Sequence, residues 1–504
     1  MICTFTDLIT EGDAIYMAKI CLVLTGSPIE EYLEIIRKNR NFVDIVELRT
    51  DLLEEQSYDQ ITNFPAMAEL PVILTCRKTN DGGSWSGTES LRKDKLLEWL
   101  DGLFAYVDLE LDIEDIAVFE EKASINGTRI IRSFHNFDAV PSDLYNKMVN
   151  ASRESTAIIK GAVYPKSSED LFNLVDVSIR LKKSNLMSTF ILLGMGDYGF
   201  ITRILTGKLG SFLTFCSDDS TRSGAPGHCS ASDLIDIYNF NSINDDTDIY
   251  AIIGNPLKQS RSPQIHNKGY RKNCLNAVYV PFLTDSPCWF MKLADLLDIK
   301  ASSVTVPFKS EIIPLVDSID EAVIKIGASN TIFRGKKGKW CATNTDAHGF
   351  IKPLLDFLGC SNLKDRKISL IGAGGAARAA LFSLLEKEAN VVIFNRTVSK
   401  GELLSSEFGC RVYPLDSSSL DILREYNSII VQTTNVGMAP FEGINPISFY
   451  EFSGDEVVYD IIYKPEKTVL MKKASNAGCR ILGGYKMLEE QAYLQFKIFT
   501  GVDY

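Results

Sequence analysis

Short apolar runs recur at regular intervals along the first half of the chain. The runs are KICLVLTG (19–26), FVDIVELRT (42–50), PVILTCR (71–77), YVDLEL (106–111), RIIRSFH (129–135), TAIIKGAVY (156–164), TFILLGMG (189–196) and SFLTFC (211–216). Helical patterns such as IEEYLEIIRKNR and SEDLFNLVDVSIRLKK lie between them. Apolar strands that alternate with helices are typical of a parallel sheet covered on both faces. Eight such units predict a (β/α)8 barrel, and their regularity favours it over an open doubly wound sheet.

A glycine-rich turn stands between two apolar runs in the second half. ISLIGAGGAARAALFSLL begins at Ile368, and VVIFNRT follows at 391–397. Gly372 and Gly374 permit a tight turn and a close approach of the backbone to a pyrophosphate, which the N-terminus of the following helix attracts. The next strand ends in Arg396, which suits a 2′-phosphate, whereas an acid there would suit NAD. The pattern predicts an oxidoreductase that uses NADP, and the alternative is a purely structural glycine turn.

The length of 504 residues suggests roughly three domains. The polar stretch NFNSINDDTD (239–248) has the composition of a linker, and a second α/β region begins at IYAIIGNP (249–256). We predict a barrel at 18–240, a linker at 241–248, a second α/β domain at 249–347 completed by the C-terminal helix 486–504, and a Rossmann-like nucleotide-binding domain at 348–485.

Composition and charge narrow the class of protein. Hydrophobic residues make up 45% of the chain, and no apolar run approaches the roughly 20 residues that span a membrane. Eleven cysteines occur without a CxxC motif or a Cys/His cluster, so we expect free thiols and neither a disulfide framework nor a metal site. The net charge of −12 argues against nucleic-acid or membrane partners. An anionic substrate would therefore depend on individually placed cations.

The first residues, MICTFTDLITEGDAIY, lack the basic and apolar regions of a secretory signal. We expect a cytoplasmic protein, or a plastid protein if a transit peptide has been removed. The sequence leaves the oligomeric state open.

Polar residues gather at the ends of the predicted barrel strands. They are Glu47, Arg49, Arg77, His135 and Lys160. Barrel enzymes carry their active sites at that face. A lysine inside an apolar strand can attack a carbonyl to form a Schiff base, and a histidine can move the accompanying protons. The alternatives are a lysine that snorkels to the surface and a hydrogen-bonded core histidine, but their joint placement favours a catalytic pair.

The motifs VELRTD, TCR, SFHNF, IIKGAVYP and APG, in this order, resemble type I 3-dehydroquinate dehydratase over most of 18–240. The resemblance implies that Lys160 forms an imine with the substrate ketone and that His135 is the general acid and base. It also implies that Glu47, Arg49 and Arg77 orient the substrate and that Arg203 holds its carboxylate.

Three positions depart from that family. Asp81 stands where the family usually has Glu, and the usual Ser-Ala-Pro-Gly-Gln motif reads Gly224-Ala225-Pro226-Gly227-His228, with Ser223 displaced by one residue. We assign Asp81, Ser223 and His228 to substrate binding and expect the changes at the last motif to weaken or alter it. The covalent machinery is intact, so we expect an active dehydratase.

In the second half, groups that can donate and accept hydrogen bonds accompany a lysine and an aspartate. They are Ser260 and Ser262 in IIGNPLKQSRSPQIHN, Lys309 after VTVPF, Asn330 in GASNT, Asp346 in NTDAHGF, Tyr463 in DIIYKP and Gln491 in KMLEEQA. Such groups suit a polyhydroxylated ring, and a Lys–Asp pair can manage the proton that accompanies hydride transfer. The alternatives are helix N-capping for the serines and a surface salt bridge for the Lys–Asp pair.

This ordered set resembles shikimate dehydrogenase across 249–504. The resemblance implies substrate contacts from Ser260, Ser262, Thr305, Asn330, Asp346, Tyr463 and Gln491. It implies that Lys309 and Asp346 are the catalytic pair. It places the NADP pyrophosphate on Gly372, Ala373, Gly374, Gly375 and Ala376. It assigns the 2′-phosphate end to Asn395, Arg396, Thr397 and Lys400, and the nicotinamide side to Gly484, Met487 and Leu488.

The order of the two halves resembles plant-type bifunctional enzymes of aromatic amino-acid biosynthesis. We therefore predict a chain that turns 3-dehydroquinate into shikimate with NADPH. One alternative is a barrel that only binds or supports, beside an active dehydrogenase. Another is a second half that prefers quinate or NAD, although Ser262 and Thr305 favour shikimate.

Overall fold

The structure is a computed structural model. It describes residues 17–26, 28–153, 157–184, 188–218, 229–258 and 260–504. Ser223 and His228, two of the predicted substrate contacts, lie outside the described residues. The chain divides into two compact units. They are Met1–Ile249 with Cys274–Asp298, and Tyr250–Asn273 with Ile299–Tyr504.

The first half contains an eight-stranded parallel sheet. Its strands are β1 (Lys19–Leu24), β2 (Ile45–Arg49), β3 (Val72–Thr75), β4 (Tyr106–Glu110), β5 (Arg129–Asn136), β6 (Ile158–Val163), β7 (Phe190–Gly194) and β8 (Leu213–Cys216). They pair in the order β8-β1-β2-β3-β4-β5-β6-β7. Between the two outer strands, β7 and β8, the Phe212 N–H donates to the Phe190 carbonyl at 2.8 Å. The sheet therefore curls into a nearly closed barrel. The predicted (β/α)8 barrel is confirmed.

Helices follow the strands around the barrel. They are α1 (Ile29–Asn39), α2 (Tyr58–Ile61), α3 (Phe64–Ala68), α4 (Glu89–Trp99), α5 (Ile116–Asn126), α6 (Leu144–Arg153), α7 (Ser168–Lys183), α8 (Gly196–Ile204) and α9 (Ala231–Asp236). Thr88 and Ser167 cap α4 and α7 by accepting a backbone N–H with their side chains. Such capping by short hydroxyl side chains explains where these two helices begin.

The barrel interior changes from apolar to polar along each strand. Ile73, Ile131 and Ile158 belong to the apolar interior cluster. Two residues further along the same strands stand Thr75, Ser133 and Lys160. Because alternate residues of a strand face the same side, these polar groups also point inward, one level above the apolar floor. The interior therefore holds an apolar base and a polar mouth at the carboxyl ends of the strands.

A mixed six-stranded sheet follows. Its strands are β9 (Asp248–Gly254), β10 (Ala277–Leu283), β11 (Ala301–Val304), β12 (Ser318–Ile319), β13 (Thr331–Arg334) and β14 (Trp340–Thr343), in the order β10-β9-β11-β13-β14-β12. β9 and β11 are parallel, and β13 is antiparallel to both β11 and β14. The accompanying helices are α10 (Ser262–Lys272), α11 (Pro287–Leu296), α12 (Glu321–Ile326) and α13 (Asp346–Leu358).

The third sheet has six parallel strands. They are β15 (Lys367–Ile371), β16 (Asn390–Asn395), β17 (Arg411–Pro414), β18 (Ile429–Gln432), β19 (Val457–Asp460) and β20 (Arg480–Gly483), in the order β17-β16-β15-β18-β19-β20. Its helices are α14 (Gly375–Glu386), α15 (Val398–Phe408), α16 (Leu420–Glu425), α17 (Val469–Asn476) and α18 (Tyr485–Thr500). The strand order reverses between β15 and β18, which is where doubly wound sheets bind ligands.

The last helix, α18, packs against α10 and α13. Residues of α18 and of β11 line the same cavity, described below. None of the helices in the described part of the chain is both long and apolar enough to cross a bilayer.

Two candidate active sites

A cavity of about 310 Å³ opens at the carboxyl ends of the barrel strands. Its polar lining brings together seven of the residues singled out from the sequence, which are Glu47, Arg49, Arg77, Asp81, His135, Lys160 and Arg203. Ile191, Leu193 and Phe215 form an apolar wall. The cavity therefore joins many charged groups to a low-dielectric wall, an arrangement that strengthens electrostatic interactions.

Lys160 is buried in the barrel and only 5% exposed, so it does not snorkel to the surface. Its Nζ lies 2.8 Å from Asp108 Oδ2 and 3.7 Å from Glu47 Oε1. The ammonium also lies 4.2 Å from the centre of the Phe215 ring, within the range of a cation–π contact. Two carboxylates and an aromatic face thus compensate for the removal of this cation from water.

Asp108 is a site residue that the sequence reasoning missed. Besides Lys160, its carboxylate contacts Arg77 Nη2 at 2.9 Å and accepts the Ser133 hydroxyl at 2.5 Å. Burial by itself would raise the pKa of Asp108, but the charges of Arg77 and Lys160 hold it well below its usual value. The signal available in the sequence was an acid in the middle of the apolar run YVDLEL.

His135 is held by Asp81. Its Nδ1 lies 2.9 Å from Asp81 Oδ2, and its backbone N–H donates to Asp81 Oδ1 at 3.3 Å. Burial and the nearby charge of Arg77 lower the pKa of His135 to about 4, so the ring is neutral at pH 7. A neutral imidazole that donates Nδ1–H to a carboxylate keeps its lone pair on Nε2. His135 is therefore arranged to act as a base.

A tight loop brings the short side chain of Asp81 to the histidine. The Gly83 N–H donates to the Lys78 carbonyl at 3.0 Å, and the Gly82 N–H donates to Thr79 at 3.1 Å. A Cβ at Gly83 would lie 2.0 Å from the Arg77 carbonyl oxygen, so only glycine allows this close approach. The tight loop thus holds Asp81 within hydrogen-bond distance of His135.

The arginines of the cavity differ in whether an acid already pairs with them. Arg49 donates to both carboxylate oxygens of Asp51 at 2.9 and 2.8 Å, and Arg77 pairs with Asp108. Arg203 is 3% exposed, and its Nη1 donates to the Phe215 carbonyl at 3.2 Å. Its Nε has no hydrogen-bond partner among the residues that the structure describes. Burial lowers the pKa of Arg203 to about 10, so it remains a cation that can accept a substrate carboxylate.

A second cavity, of about 610 Å³, lies in the second half. It is lined by eleven of the residues predicted from the sequence, which are Ser260, Ser262, Thr305, Lys309, Asn330, Asp346, Tyr463, Gly484, Met487, Leu488 and Gln491. The sequence reasoning missed Lys258, Ser303 and Gln495, which also line it. Gln495 stands one helical turn after Gln491, and that spacing was the signal available for it.

Lys309 and Asp346 form a direct pair. Lys309 Nζ lies 2.5 Å from Asp346 Oδ2, and Asp346 Oδ1 accepts Asn330 Nδ2–H at 2.8 Å. Their side chains are 20% and 11% exposed, so the pair is more enclosed than a surface salt bridge. Asp346 is the first residue of α13, where the helix dipole favours a carboxylate. The pair can deliver a proton to an oxygen bound in the cavity.

The two serines contribute to the start of α10 as well as to the cavity. The Ser262 N–H donates to the Ser260 hydroxyl at 3.3 Å, while the residue at the N-cap position, Arg261, makes no side-chain cap. The N-capping alternative is thus met in part by Ser260. Ser262 is buried and lines the cavity.

The glycine turn between β15 and α14 has the shape that a phosphate requires. Gly372 has a φ of +112°, and a Cβ there would lie 2.6 Å from Thr433 Oγ1. A Cβ at Gly374 would meet nothing within 4 Å, so the turn is open on that side. α14 begins at Gly375 without a side-chain cap, and its first N–H groups can bind an anion. A Cβ on Gly375 would stand 4.0 Å from Lys309 Cδ, so the turn borders the second cavity.

The end of β16 completes this nucleotide site. Asn395 Nδ2 donates to the Thr397 carbonyl at 2.7 Å, and Arg396 and Lys400 are exposed. No acid occurs between Asn395 and Lys400 in the sequence. Two cations and no carboxylate fit a ribose 2′-phosphate better than a 2′-hydroxyl.

Comparisons with known proteins relate the two halves of the chain to two enzyme families. Residues 20–245 match the type I 3-dehydroquinase family, 252–332 match the shikimate dehydrogenase substrate binding domain, and 357–438 match the shikimate / quinate 5-dehydrogenase family. The bifunctional 3-dehydroquinate dehydratase/shikimate dehydrogenase of Arabidopsis thaliana is 32% identical over 96% of this chain and 82% of its own.

Two further relatives cover different shares of the chain. The shikimate biosynthesis protein AroDE of Chlamydia pneumoniae is 29% identical over 95% of both chains. The NADP(+) shikimate dehydrogenase of Methanocaldococcus jannaschii is 38% identical over 52% of this chain and 94% of its own. The fold and the two sites thus define a two-enzyme chain, a barrel lyase followed by an NADP-dependent dehydrogenase. The chain belongs to the bifunctional 3-dehydroquinate dehydratase/shikimate dehydrogenase family.

The protonation of His135 can be measured directly. The chain has four histidines, so ¹⁵N-labelled imidazoles can be assigned by substitution. We expect His135 to stay neutral above about pH 5 with its proton on Nδ1, because burial and Arg77 lower its pKa to about 4. Asp81→Asn should remove the preference for that tautomer, Asp81→Glu should keep it, and the exposed His348 is the internal reference. Titration of His135 near pH 6.5 would contradict the assignment.

Proposed function

We propose that the two cavities carry out consecutive reactions, each with the residues that line it. The barrel dehydrates 3-dehydroquinate to 3-dehydroshikimate, and the second half reduces that product to shikimate with NADPH. The observation that carries the proposal is that one chain holds both sets of groups. One cavity has a buried lysine beside a neutral histidine, and the other has a Lys–Asp pair beside a phosphate-binding turn. The product of the first site is the substrate of the second.

In the barrel, the amine of Lys160 attacks the substrate ketone, and loss of water gives an imine. Lys160 must release a proton before it attacks, and the carboxylate of Glu47 lies 3.7 Å from its Nζ. The imine acidifies the neighbouring C–H, and His135 Nε2 removes that proton. The hydroxyl then leaves as water with the proton that His135 returns, and hydrolysis of the imine frees Lys160. Arg203 holds the carboxylate of the substrate throughout.

In the second cavity, NADPH supplies the hydride. Lys309 donates a proton to the ketone oxygen, and Asp346 Oδ2, 2.5 Å from Lys309 Nζ, orients the lysine for that transfer. Ser260, Ser262, Thr305 and Tyr463 hold the hydroxyl and carboxylate groups of the ring. The open side of Gly374 and the start of α14 receive the pyrophosphate, and Arg396 and Lys400 receive the 2′-phosphate. Gly484, Met487 and Leu488 border the nicotinamide.

We further propose that the chain works in a reducing compartment. The ten cysteines of the described residues are all free thiols. The proposed compartment is the cytoplasm, with a plastid as the alternative because the Arabidopsis relative is named chloroplastic. Immunogold labelling of source tissue separates the two.

The coupled assay tests the function as a whole. We expect the protein to form shikimate when 3-dehydroquinate and NADPH are supplied together. Lys160→Ala and Lys309→Ala should each reduce that rate by about 100-fold or more, because each removes a group that moves protons or forms the covalent bond. A mixture of the two variants should form shikimate, because each variant keeps the active site that the other has lost. Lys268→Ala, exposed on α10, is the control. Unchanged NADPH consumption by Lys309→Ala would contradict the assignment of the second cavity.

Borohydride trapping tests the covalent step. Reduction in the presence of 3-dehydroquinate should attach a ligand to Lys160, because an imine is reduced to a stable amine. Mass spectrometry of the peptide that contains Lys160 detects the adduct. Lys160→Ala should give no adduct while it still oxidises shikimate, which shows that the protein is folded. Absence of any adduct in the unmodified protein would support a non-catalytic barrel.

A comparison of NADPH with NADH tests whether the end of β16 binds the 2′-phosphate. Arg396→Ser should raise the KM for NADPH by roughly tenfold or more, because a charge-assisted contact to the 2′-phosphate is lost. The KM for NADH should stay unchanged, since NADH lacks that phosphate. Arg424→Ser, an exposed substitution on α16, is the matched control. An equal change for both cofactors would exclude a specific role for Arg396.

A further inference from the structure

Gln495 lies on α18 one turn after Gln491, and its side chain is 1% exposed. Its Oε1 accepts the Ser303 hydroxyl at 2.8 Å. Its Nε2 donates to Thr331 Oγ1 at 2.8 Å and to the Asn330 carbonyl at 3.1 Å. A backbone carbonyl can only accept, so the amide nitrogen of Gln495 must face Asn330. The orientation of Gln495 is therefore fixed by the chain itself.

The donor from Gln495 sets the direction of the next hydrogen bond. Thr331 Oγ1 accepts from Gln495 and directs its own proton to Asn330 Oδ1 at 2.8 Å. The Thr345 N–H donates to the same Oδ1 at 2.7 Å. With Oδ1 engaged by two donors, Nδ2 of Asn330 is turned toward Asp346, whose Oδ1 lies at 2.8 Å. The opposite orientation would place an amide oxygen against a carboxylate.

We propose that Gln495 is a positioning residue for the dehydrogenase reaction, which acts through Thr331 and Asn330 to orient the Lys309–Asp346 pair. This inference rests on the proposed reduction in the second cavity. The chain of hydrogen bonds runs from Ser303 through Gln495, Thr331 and Asn330 to Asp346, and each of its four links is 2.8 Å. The contact from Asp346 on to Lys309 is 2.5 Å. Asn330 Nδ2 occupies Asp346 Oδ1 and leaves Oδ2 for the lysine.

The titratable groups around Gln495 are few in the described structure. His266 of α10 is beside it, and burial lowers the pKa of His266 to about 3, so it does not ionise between pH 6 and 9. Lys309 and Asp346 lie at the far end of the hydrogen-bond chain. A change of rate with pH in a Gln495 variant therefore reports on the introduced group or on the Lys–Asp pair.

Two substitutions separate orientation from packing. Gln495→Met keeps the approximate volume and removes every hydrogen bond of the amide. Gln495→Glu keeps the shape, but once ionised it can only accept, so Thr331 would turn its proton away from Asn330. Phe496→Leu, a buried change on the same helix that leaves the hydrogen bonds in place, is the matched control for loss of packing.

The experiment measures kcat and KM for shikimate oxidation with NADP⁺ from pH 6 to 9. We expect Gln495→Met to lower kcat/KM by about tenfold at every pH, since one hydrogen bond to a charged group is weakened. The activity of Gln495→Glu relative to the unmodified protein should fall as pH rises, because a neutral carboxyl can donate as the amide does and an ionised one cannot. Phe496→Leu should lower thermal stability with less than a threefold change in kcat/KM.

These measurements test the positioning role of Gln495 separately from the proposed function. Full activity of Gln495→Met, or a relative activity of Gln495→Glu that increases with pH, would overturn the positioning role. An equal loss in Gln495→Met and Phe496→Leu would assign the effect to packing and would overturn it too. If the unmodified protein fails to oxidise shikimate, the proposed function itself is wrong.

Discussion

Parallel strands point their carboxyl ends to the same edge of a sheet, and both sites of this chain are built on that constraint. In the barrel, β2, β5 and β6 bring Glu47, His135 and Lys160 into one cavity although these residues are remote from one another along the chain. In the second half, the segments after the parallel pair β9 and β11 supply Ser260 and Lys309. The turn after β15 adds the phosphate-binding glycines at the point where the strand order of the third sheet reverses.

Charge balance then decides what each cavity can do. Lys160, Arg77 and Arg49 are each matched by a buried or half-buried acid, so the barrel tolerates them at low dielectric. Arg203 has no such acid within the described residues, and it is the cation that an anionic substrate would neutralise. A protein with a net charge of −12 attracts an anion through such local cations rather than through its overall field. Burial, together with the charges of Arg77 and Lys160, keeps His135 neutral and available as a base.

In the second cavity, backbone groups determine the orientation of side-chain amides, which can both donate and accept hydrogen bonds. The Thr345 N–H and the Asn330 carbonyl are backbone groups that can only donate or only accept. They fix the amides of Asn330 and Gln495, and these amides in turn fix how Asp346 meets Lys309. The catalytic pair is thereby held by the sheet and by α18 rather than by flexible side chains alone.

The amino-acid sequence by itself determined the fold class, because eight apolar runs and a glycine turn between two strands have few alternatives in three dimensions. Polar side chains at strand ends indicated part of both cavities, since such ends meet at one edge, and the resemblance to the two families implied the other residues. The sequence did not identify Asp108 and Gln495 as site residues. An acid within an apolar run and a second glutamine on a helix cannot be told from other polar residues until their partners are known. Only the tertiary structure decided that Asp81 reaches His135 and that no acid of the described residues pairs with Arg203, since both depend on distances between segments that are remote along the chain.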